Sequence, residues 1–224
     1  MPCLTSLRAV VAILLTCLLA TPALSGAWPR GDGNVFLSFH AVQDDLNWAE
    51  RPSFAAYFEY GLTDQWTLGA KLEYDFQSEE FTEGELFARW SFAPGDGPWQ
   101  KAVSLTVAGL GDQQHRLIPA FHLGRGFDTR WGNAWTDLTF KADLPLQDGD
   151  KALGVVGQLG LKPHDRLMTL FSVDVFASET ETYTKLIPAV AWQIRPGKHL
   201  HLEWSETVDP VPAGKLSLGL WMEF

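Results

Sequence analysis

The chain of 224 residues contains only two cysteines, Cys3 and Cys17, and both lie within its first 25 residues. If that segment is removed, the remaining chain has no thiol and forms neither a disulfide nor a cysteine metal site. Basic residues are also scarce, because 17 Lys and Arg stand against 27 Asp and Glu, for a formal net charge of −10. A nucleic-acid-binding surface needs clustered Lys and Arg, so this balance argues against nucleic acid as a partner.

Long hydrophobic runs are missing as well, with one exception close to the start of the chain. After residue 26 no apolar run approaches the roughly 20 residues that a membrane-spanning helix requires. The exception, residues 9–20, follows Arg8 and precedes the small residue Ser25, which is typical of a secretory signal peptide. We expect residues 1–25 to be removed as a signal peptide. Cleavage after Ala27 and an uncleaved membrane anchor are the alternatives.

The remainder of the chain shows hydrophobic alternation with a period of two, in segments of about ten residues. In the segment 66–75 one face carries Trp, Leu, Ala, Leu and Tyr, whereas the other face carries Lys71, Glu73 and Asp75. The last segment, 214–224, alternates in the same way. Segments of this length and period are typical of membrane-spanning β-strands, which are tilted and need about 9–11 residues.

Twelve such segments are predicted, and they define the fold class. They cover residues 34–42, 53–61, 66–75, 84–92, 100–109, 116–126, 134–144, 153–162, 166–177, 182–193, 199–206 and 214–224. The sequence therefore predicts an all-β protein whose residues 26–224 form a closed antiparallel transmembrane barrel of about 12 strands. Short polar turns at 62–65, 163–166 and 195–198 alternate with mostly longer links, which predicts that both termini lie in the periplasm.

The composition of the two faces favours a membrane barrel over a soluble one. A twelve-stranded barrel with a charged lining encloses water, and its apolar face is then free to contact lipid. Aromatic residues on the apolar face also concentrate near strand ends, where membrane barrels carry girdles of aromatic side chains. At the predicted periplasmic level these girdle residues are Tyr60, Trp66, Trp90, Phe92, Trp192 and Phe224.

Two stretches resemble known proteins. The ending Leu-Trp-Met-Glu-Phe224 resembles the C-terminal signal of Gram-negative outer-membrane proteins, which the barrel-assembly machinery recognises. The stretch Tyr60–Ala70 is similar to a strand–turn–strand signature of small outer-membrane porins, including those grouped with phenol-degradation (meta-pathway) proteins. These resemblances imply a location in the cell outer membrane, with the lipid bilayer and the assembly machinery as partners.

Charged residues on the polar face suggest how the lumen selects solutes. Lys71, Glu73, Glu85 and Arg89 fall on the same face of neighbouring predicted strands, where opposite charges attract. Such a group either rigidifies the wall through ion pairs or forms a constriction that filters small polar solutes, and the two roles are compatible. We predict a porin-like channel for small solutes, without a cofactor. The predicted selectivity residues are Lys71, Glu73, Glu85, Arg89, Lys141 and Glu203.

Other functions remain open at this stage. Ser38 and His40 share one face of a strand, which raises the possibility of a lipid-modifying hydrolase. Residues two apart on a strand lie roughly 7 Å apart, too far for a Ser–His hydrogen bond without help from a neighbouring strand, so we expect no catalytic residue. His199, His201 and Glu203 offer a loosely spaced ligand set for zinc or non-haem iron, and we expect no metal there. A structural or export-associated barrel with a sealed lumen is the third alternative.

Overall fold

The computed structural model describes residues 26–44, 51–93, 97–109, 115–209 and 213–224, and the predicted signal segment lies outside these ranges. No helix in the described part of the chain is long and apolar enough to cross a membrane.

Twelve strands connected in sequence order form one sheet. They are β1 (Val35–Asp44), β2 (Ser53–Gly61), β3 (Trp66–Asp75), β4 (Glu80–Ser91), β5 (Gln100–Ala108), β6 (Arg116–Thr129), β7 (Gly132–Pro145), β8 (Ala152–His164), β9 (Leu167–Ser178), β10 (Thr182–Arg195), β11 (Lys198–Asp209) and β12 (Ala213–Glu223). Each strand pairs antiparallel with its neighbours, and β1 pairs with β12, so the sheet closes into a barrel. The predicted fold class is confirmed.

The closing seam between β1 and β12 is hydrogen-bonded to its end. Phe36 lies opposite Glu223, and the register continues to Asp44 opposite Lys215. At the rim, Val35 N–H donates to the carbonyl of Phe224 at 3.0 Å, and Phe224 N–H donates to the carbonyl of Val35 at 3.0 Å. No strand edge is left open there, as the interior of a bilayer requires. We call the end of the barrel at which these two residues lie the terminal end.

The strand bounds follow the predictions closely, and two departures are informative. β4 begins at Glu80 rather than residue 84, because the acidic run that looks like a loop in the sequence continues the pairing with β3 past a register shift at Glu73. The link predicted over 127–133 shortens to a two-residue turn at Arg130 and Trp131, since β6 and β7 pair as far as Thr129 opposite Gly132.

The outer surface of the wall is apolar and the inner surface is largely polar. Leu86 and Leu153 point outward and are each 68% exposed, and many other outward-facing Val, Leu and Phe side chains are exposed as well. Along β11, Leu200 and Leu202 are exposed while His199 and His201 are buried. A soluble barrel has its apolar face inward, so this orientation is that of a membrane-spanning barrel, as predicted.

The inner surface is not polar throughout. Toward the terminal end a group of apolar side chains projects into the lumen, which we call the lumen apolar cluster: Phe36, Trp135, Met168, Leu170, Ala189, Ala191 and Trp221. These residues alternate with outward-facing ones, so they occupy positions that the period-two pattern assigns to the polar face. The cluster narrows the bore in the half of the barrel nearest the terminal end.

Candidate functional site

Lys71 and the glutamates around it form the first ion-pair group in the lumen. The Lys71 ammonium lies 2.8 Å from the Glu73 carboxylate and 3.0 Å from the Glu83 carboxylate. Glu85 is directly opposite Lys71 in the β3–β4 register, but the ion pair forms with Glu83 instead. Of the four residues predicted to act together, Lys71 and Glu73 are therefore in contact, whereas Glu83, which was not among them, takes the place expected for Glu85.

Arg89 belongs to a second group, which is centred on a different carboxylate. The Arg89 guanidinium lies 3.0 Å from Glu59 on β2, and Glu59 is only 2% exposed. Tyr57 Oη donates to the same carboxylate at 2.6 Å, and Arg30 forms an ion pair with it. Three donors thus converge on one buried anion, which satisfies its lone pairs. Alternation along the strands predicts that Glu59 and Arg89 face the lumen. Arg30 lies before β1, so no such pattern predicts that it also lies there.

Lys141 and Glu203 stand apart from both groups. The Lys141 ammonium lies 3.7 Å from Asp174 across the β7–β9 part of the wall. Glu203 on β11 makes no hydrogen bond or ion pair with another residue that the structure describes. Lys71, Glu73 and Glu203 line one cavity of about 530 Å³, which we call the outer cavity because it lies away from the terminal end. Glu85 and Arg89 line a second cavity of about 240 Å³ deeper in the barrel.

Residues 26–34, which precede β1, turn back into the barrel. We call Gly26–Asn34 the lumen segment. The backbone N–H of Ala27 donates to Asp137 Oδ2 at 3.1 Å, and the N–H of Arg30 donates to Thr67 Oγ1 at 3.2 Å. Ala27 is fully buried, although it lies in no strand. The position of this segment is not predictable from the sequence, because residues 26–34 have neither alternation nor a motif.

Side-chain packing fixes the lumen segment against the wall. Trp28 packs on the lumen apolar cluster, and the Arg30 guanidinium lies 4.5 Å from the centroid of the Phe36 ring. A methyl group at Gly124 would overlap the Trp28 ring, and one at Gly26 would overlap the His122 ring, so backbone and ring are in close contact at both places. The segment and the apolar cluster together narrow the terminal half of the lumen, where the second cavity remains beside Gly26, and they leave the larger outer cavity unoccupied.

The alternative catalytic pair is not assembled. His40 Nε2 lies 3.0 Å from His201 Nδ1, and the indole N–H of Trp221 donates to the same His40 nitrogen at 3.3 Å. No hydrogen bond joins Ser38 to His40 among the described residues, and both side chains face the lumen rather than the lipid. An imidazole nitrogen engaged in this way is not available as a base for the serine hydroxyl.

The alternative metal site is not assembled either. Within the ranges that the structure describes, no group of three or more His, Cys, Asp or Glu side chains is placed to hold a metal ion. His201 instead stacks on Trp221, with ring centroids 3.9 Å apart, and faces His40 across the β11–β12–β1 wall. This imidazole pair joins residues 161 positions apart, and no local sequence pattern predicts such a contact.

The predicted girdle residues all lie toward the terminal end. Trp66 and Trp90 are directly opposite each other in the β3–β4 register and stack with centroids 6.4 Å apart. Trp90 also contacts Phe92 at 4.5 Å between centroids. Trp192 and Phe224 are exposed, and Tyr60 is half-buried. Whether these rings mark a membrane interface stays a prediction.

Comparisons with known proteins agree on the fold. No protein-family model matches the chain. No curated protein sequence matches it either. Among solved structures, the KdgM porin in complex with disordered oligogalacturonate is similar with a TM-score of 0.69 and 8% identity over 84% of this chain and 99% of that one.

Two further solved structures are similar in the same way. The NanC porin has a TM-score of 0.67 and 8% identity over 83% of this chain and 98% of that one. The outer membrane protein Omp33 of Acinetobacter baumannii has a TM-score of 0.55 and 10% identity over 89% of this chain and all of that one. At such low identity the similarity concerns the fold, which is the closed barrel of outer-membrane porins.

Proposed function

We propose that this protein is a porin-like channel of the outer membrane that passes small polar solutes and is closed at rest by its own lumen segment. The observation that carries the proposal is a charged, cavity-containing lumen inside a wall whose outer surface is apolar. Charged side chains inside a closed barrel need ion pairs or water around them, and they do not stabilise the fold through apolar burial. A charged lumen is therefore better explained by the passage of polar solutes than by a contribution to stability.

The closed state follows from the contacts of the lumen segment. These contacts are individually modest, since a typical hydrogen bond contributes about 1 kcal/mol net to stability. The segment enters the barrel at Gly31 and Gly33, whose φ angles of 82° and 74° favour glycine and permit rearrangement. Passage through the terminal half requires residues 26–30 to move, and their polar contacts are with Thr67, Glu59, Glu223 and Asp137. Gly33 and Asn34 stay bound to Gly61 of β2 by backbone hydrogen bonds of 2.9 Å, so the movement is confined to the part of the segment before Gly31.

Two other functions compete with passage. A lipid-modifying hydrolase would need its reactive groups at the lipid-facing surface, and Ser38 and His40 face the lumen without a hydrogen bond between them. For this reason we propose a channel rather than an enzyme. A structural or export-associated barrel without an open pore is favoured by the lumen apolar cluster together with Trp28, and conductance separates it from a channel.

The solute class has two starting points. The KdgM porin was observed in complex with oligogalacturonate, whereas residues 60–70 resemble porins grouped with phenol-degradation (meta-pathway) proteins, a resemblance that supports the barrel and says little about the solute. The outer cavity carries three lysines and three glutamates, so its lining is balanced and favours neither anions nor cations as a class. Sugars, amino acids and aromatic acids therefore form the panel to be tested.

Liposome swelling with the full mature chain tests the proposal. A variant with Trp28→Ala and Arg30→Ala removes the side chains that hold the lumen segment, so we expect it to admit small solutes several-fold faster than the parent protein. The matched control changes Arg130 and Trp131 to alanine, because this pair stacks at 4.1 Å in an exposed turn outside the lumen. The control should behave as the parent. If no solute enters either protein faster than protein-free liposomes, the chain is not a channel.

Export and assembly complete the proposal. We propose that residues 1–25 are the export signal and residues 26–224 the barrel domain, with the strand ending at Phe224 recognised by the barrel-assembly machinery. The Ala27–Asp137 hydrogen bond supports cleavage before Gly26, because cleavage after Ala27 would remove it. Amino-terminal sequencing of the membrane-purified protein should begin at Gly26. A sequence beginning at Trp28 would contradict this assignment.

A further inference from the structure

The outer cavity contains two charged side chains that have no ion-pair partner within 4.0 Å among the residues that the structure describes. Most basic residues of the lumen hold a carboxylate within 4.0 Å: Lys71, Arg89, Arg116, Lys141 and Lys215. Among the described residues Lys185 has no carboxylate within this distance, and Glu203 has neither a basic group within it nor a hydrogen bond, because Lys71 acts on Glu203 only from farther away. Both side chains line the same cavity. Unpaired charges of opposite sign in one enclosed space point to a ligand that carries both charges.

The Lys185 ammonium is held in place without being neutralised. Its cross-strand neighbour on β9 is Asp174, which forms its ion pair with Lys141 instead. The Lys185 nitrogen lies 4.5 Å from the centroid of the Tyr183 ring, a cation–π contact that orients the ammonium and consumes none of its three N–H donors. A carboxylate entering the outer cavity could accept from these donors.

The Glu203 carboxylate is the counterpart on the neighbouring strand. Its lateral neighbours are Ala189 on β10 and Ser217 on β12, and neither carries a charge. Because Lys185 pairs with Thr207, Glu203 lies four residues nearer the terminal end, an axial separation of roughly 13 Å between the two Cα atoms. Both side chains extend into the cavity, so a ligand that bridges them needs charged ends separated by several ångströms.

We propose that the outer cavity binds zwitterionic solutes of the size of a short peptide, with the carboxylate on Lys185 and the ammonium on Glu203. The inference rests on the proposed channel function and names its solute class. A solute with a single charge would leave one of the two side chains unpaired, which is costly in a confined space. The lining as a whole offers three ammonium and three carboxylate groups, so its net charge does not attract a polyanion.

Three matched peptides test the inference by saturation-transfer NMR on the intact protein in micelles. Triglycine carries both charges, N-acetyltriglycine only the negative one and triglycinamide only the positive one. Because each charge-assisted contact is among the stronger hydrogen bonds, triglycine should bind about tenfold more tightly than either blocked peptide. Lys185→Met should lower triglycine binding to the level of triglycinamide. Glu203→Gln should lower it to the level of N-acetyltriglycine.

The control is Lys151→Met, which removes an exposed loop lysine outside the lumen and should leave the tenfold preference intact. Equal binding of the three peptides to the parent protein overturns the inference, as does preferential binding of either blocked peptide. Unchanged selectivity in both variants also overturns it. Since binding is measured without passage, triglycine preference in a protein that admits no solute into liposomes would refute the channel and keep the binding site.

Discussion

At the scale of single residues, Glu59 has the most demanding position in the lumen. Its carboxylate is almost fully buried, and it accepts from Tyr57, Arg89 and Arg30. Two of these donors belong to the wall and the third belongs to the lumen segment. Glu59 therefore contributes both to the stability of the wall and to the retention of the segment.

Replacing Glu59 by glutamine should destabilise the barrel because it removes the only carboxylate that the structure places within ion-pair distance of Arg89 among the described residues. Leaving a buried cation unpaired costs about 3 kcal/mol, and residual water in the lumen lowers this to about 2 kcal/mol. Urea unfolding in detergent, followed by tryptophan fluorescence, measures the change. Glu73→Gln is the control, since Glu73 is 36% exposed and its pair with Lys71 is worth less than about 1 kcal/mol. Equal midpoints for the two variants would contradict this role.

At the scale of elements, β6 shows how the wall accommodates the lumen segment. Gly124 faces inward, and a methyl group there would meet the Trp28 ring and lie 2.7 Å from the Ala27 Cβ atom. Gly126, two residues along the same strand, has open space around its Cβ position. The two glycines thus offer a matched pair on one strand.

We expect Gly124→Ala to displace the lumen segment and Gly126→Ala to leave it in place. The Ala27 Cβ atom cannot move independently of the backbone. Rotation of the Trp28 side chain therefore does not relieve the overlap, and the backbone of the segment must shift. Liposome swelling should therefore be faster for Gly124→Ala than for the parent, and unchanged for Gly126→Ala. If the two variants swell alike, the lumen segment does not limit passage.

The sequence contains most of the information about these elements. β2 and β3 begin and end where the alternation predicts, because side chains on a strand must alternate between lipid and lumen over its whole length. The six residues predicted to set selectivity lie on the lumen side, because the face of a strand residue depends only on parity, and their role in selectivity stays a prediction. Parity does not predict their contact partners, because the Arg89–Glu59 and His40–His201 contacts depend on the register between strands and on closure of the barrel.

The lumen segment and the lumen apolar cluster show where local pattern fails. Residues 26–34 have no alternation, so nothing in the sequence alone places Trp28 or Arg30 inside the barrel. Trp135 and Trp221 occupy inward positions that parity assigns correctly, but parity does not reveal that they gather around Trp28. Contacts between a non-repeating segment and a closed wall require the three-dimensional fold.

At the scale of the whole molecule, the first and last strands complete the wall. Phe224 contributes two backbone hydrogen bonds to Val35, and its side chain is exposed on the outer surface. The ring therefore adds little to packing in the isolated barrel, which leaves it free for recognition during assembly.

Phe224→Ala should reduce the amount of folded protein in the outer membrane several-fold and leave unassisted refolding into micelles unchanged. The heat-modifiable shift of barrel mobility in gels measures folding in both settings. Phe127→Ala removes another exposed phenylalanine near the same end and should have no effect in either. A loss in micelles as large as the loss in cells would assign Phe224 to stability instead of recognition.

The lumen segment, together with the lumen apolar cluster, sets the free width of the lumen in the terminal half of the barrel. Each residue of a wall strand must suit either the lipid or the lumen. The segment Gly26–Asn34 is less constrained, because it need only keep its contacts with the groups that hold it. Under the proposed channel function, substitutions within Gly26–Asn34 alone should therefore change which solutes pass. Nanopores of graded bore should be obtainable by exchanging that stretch while every strand is kept.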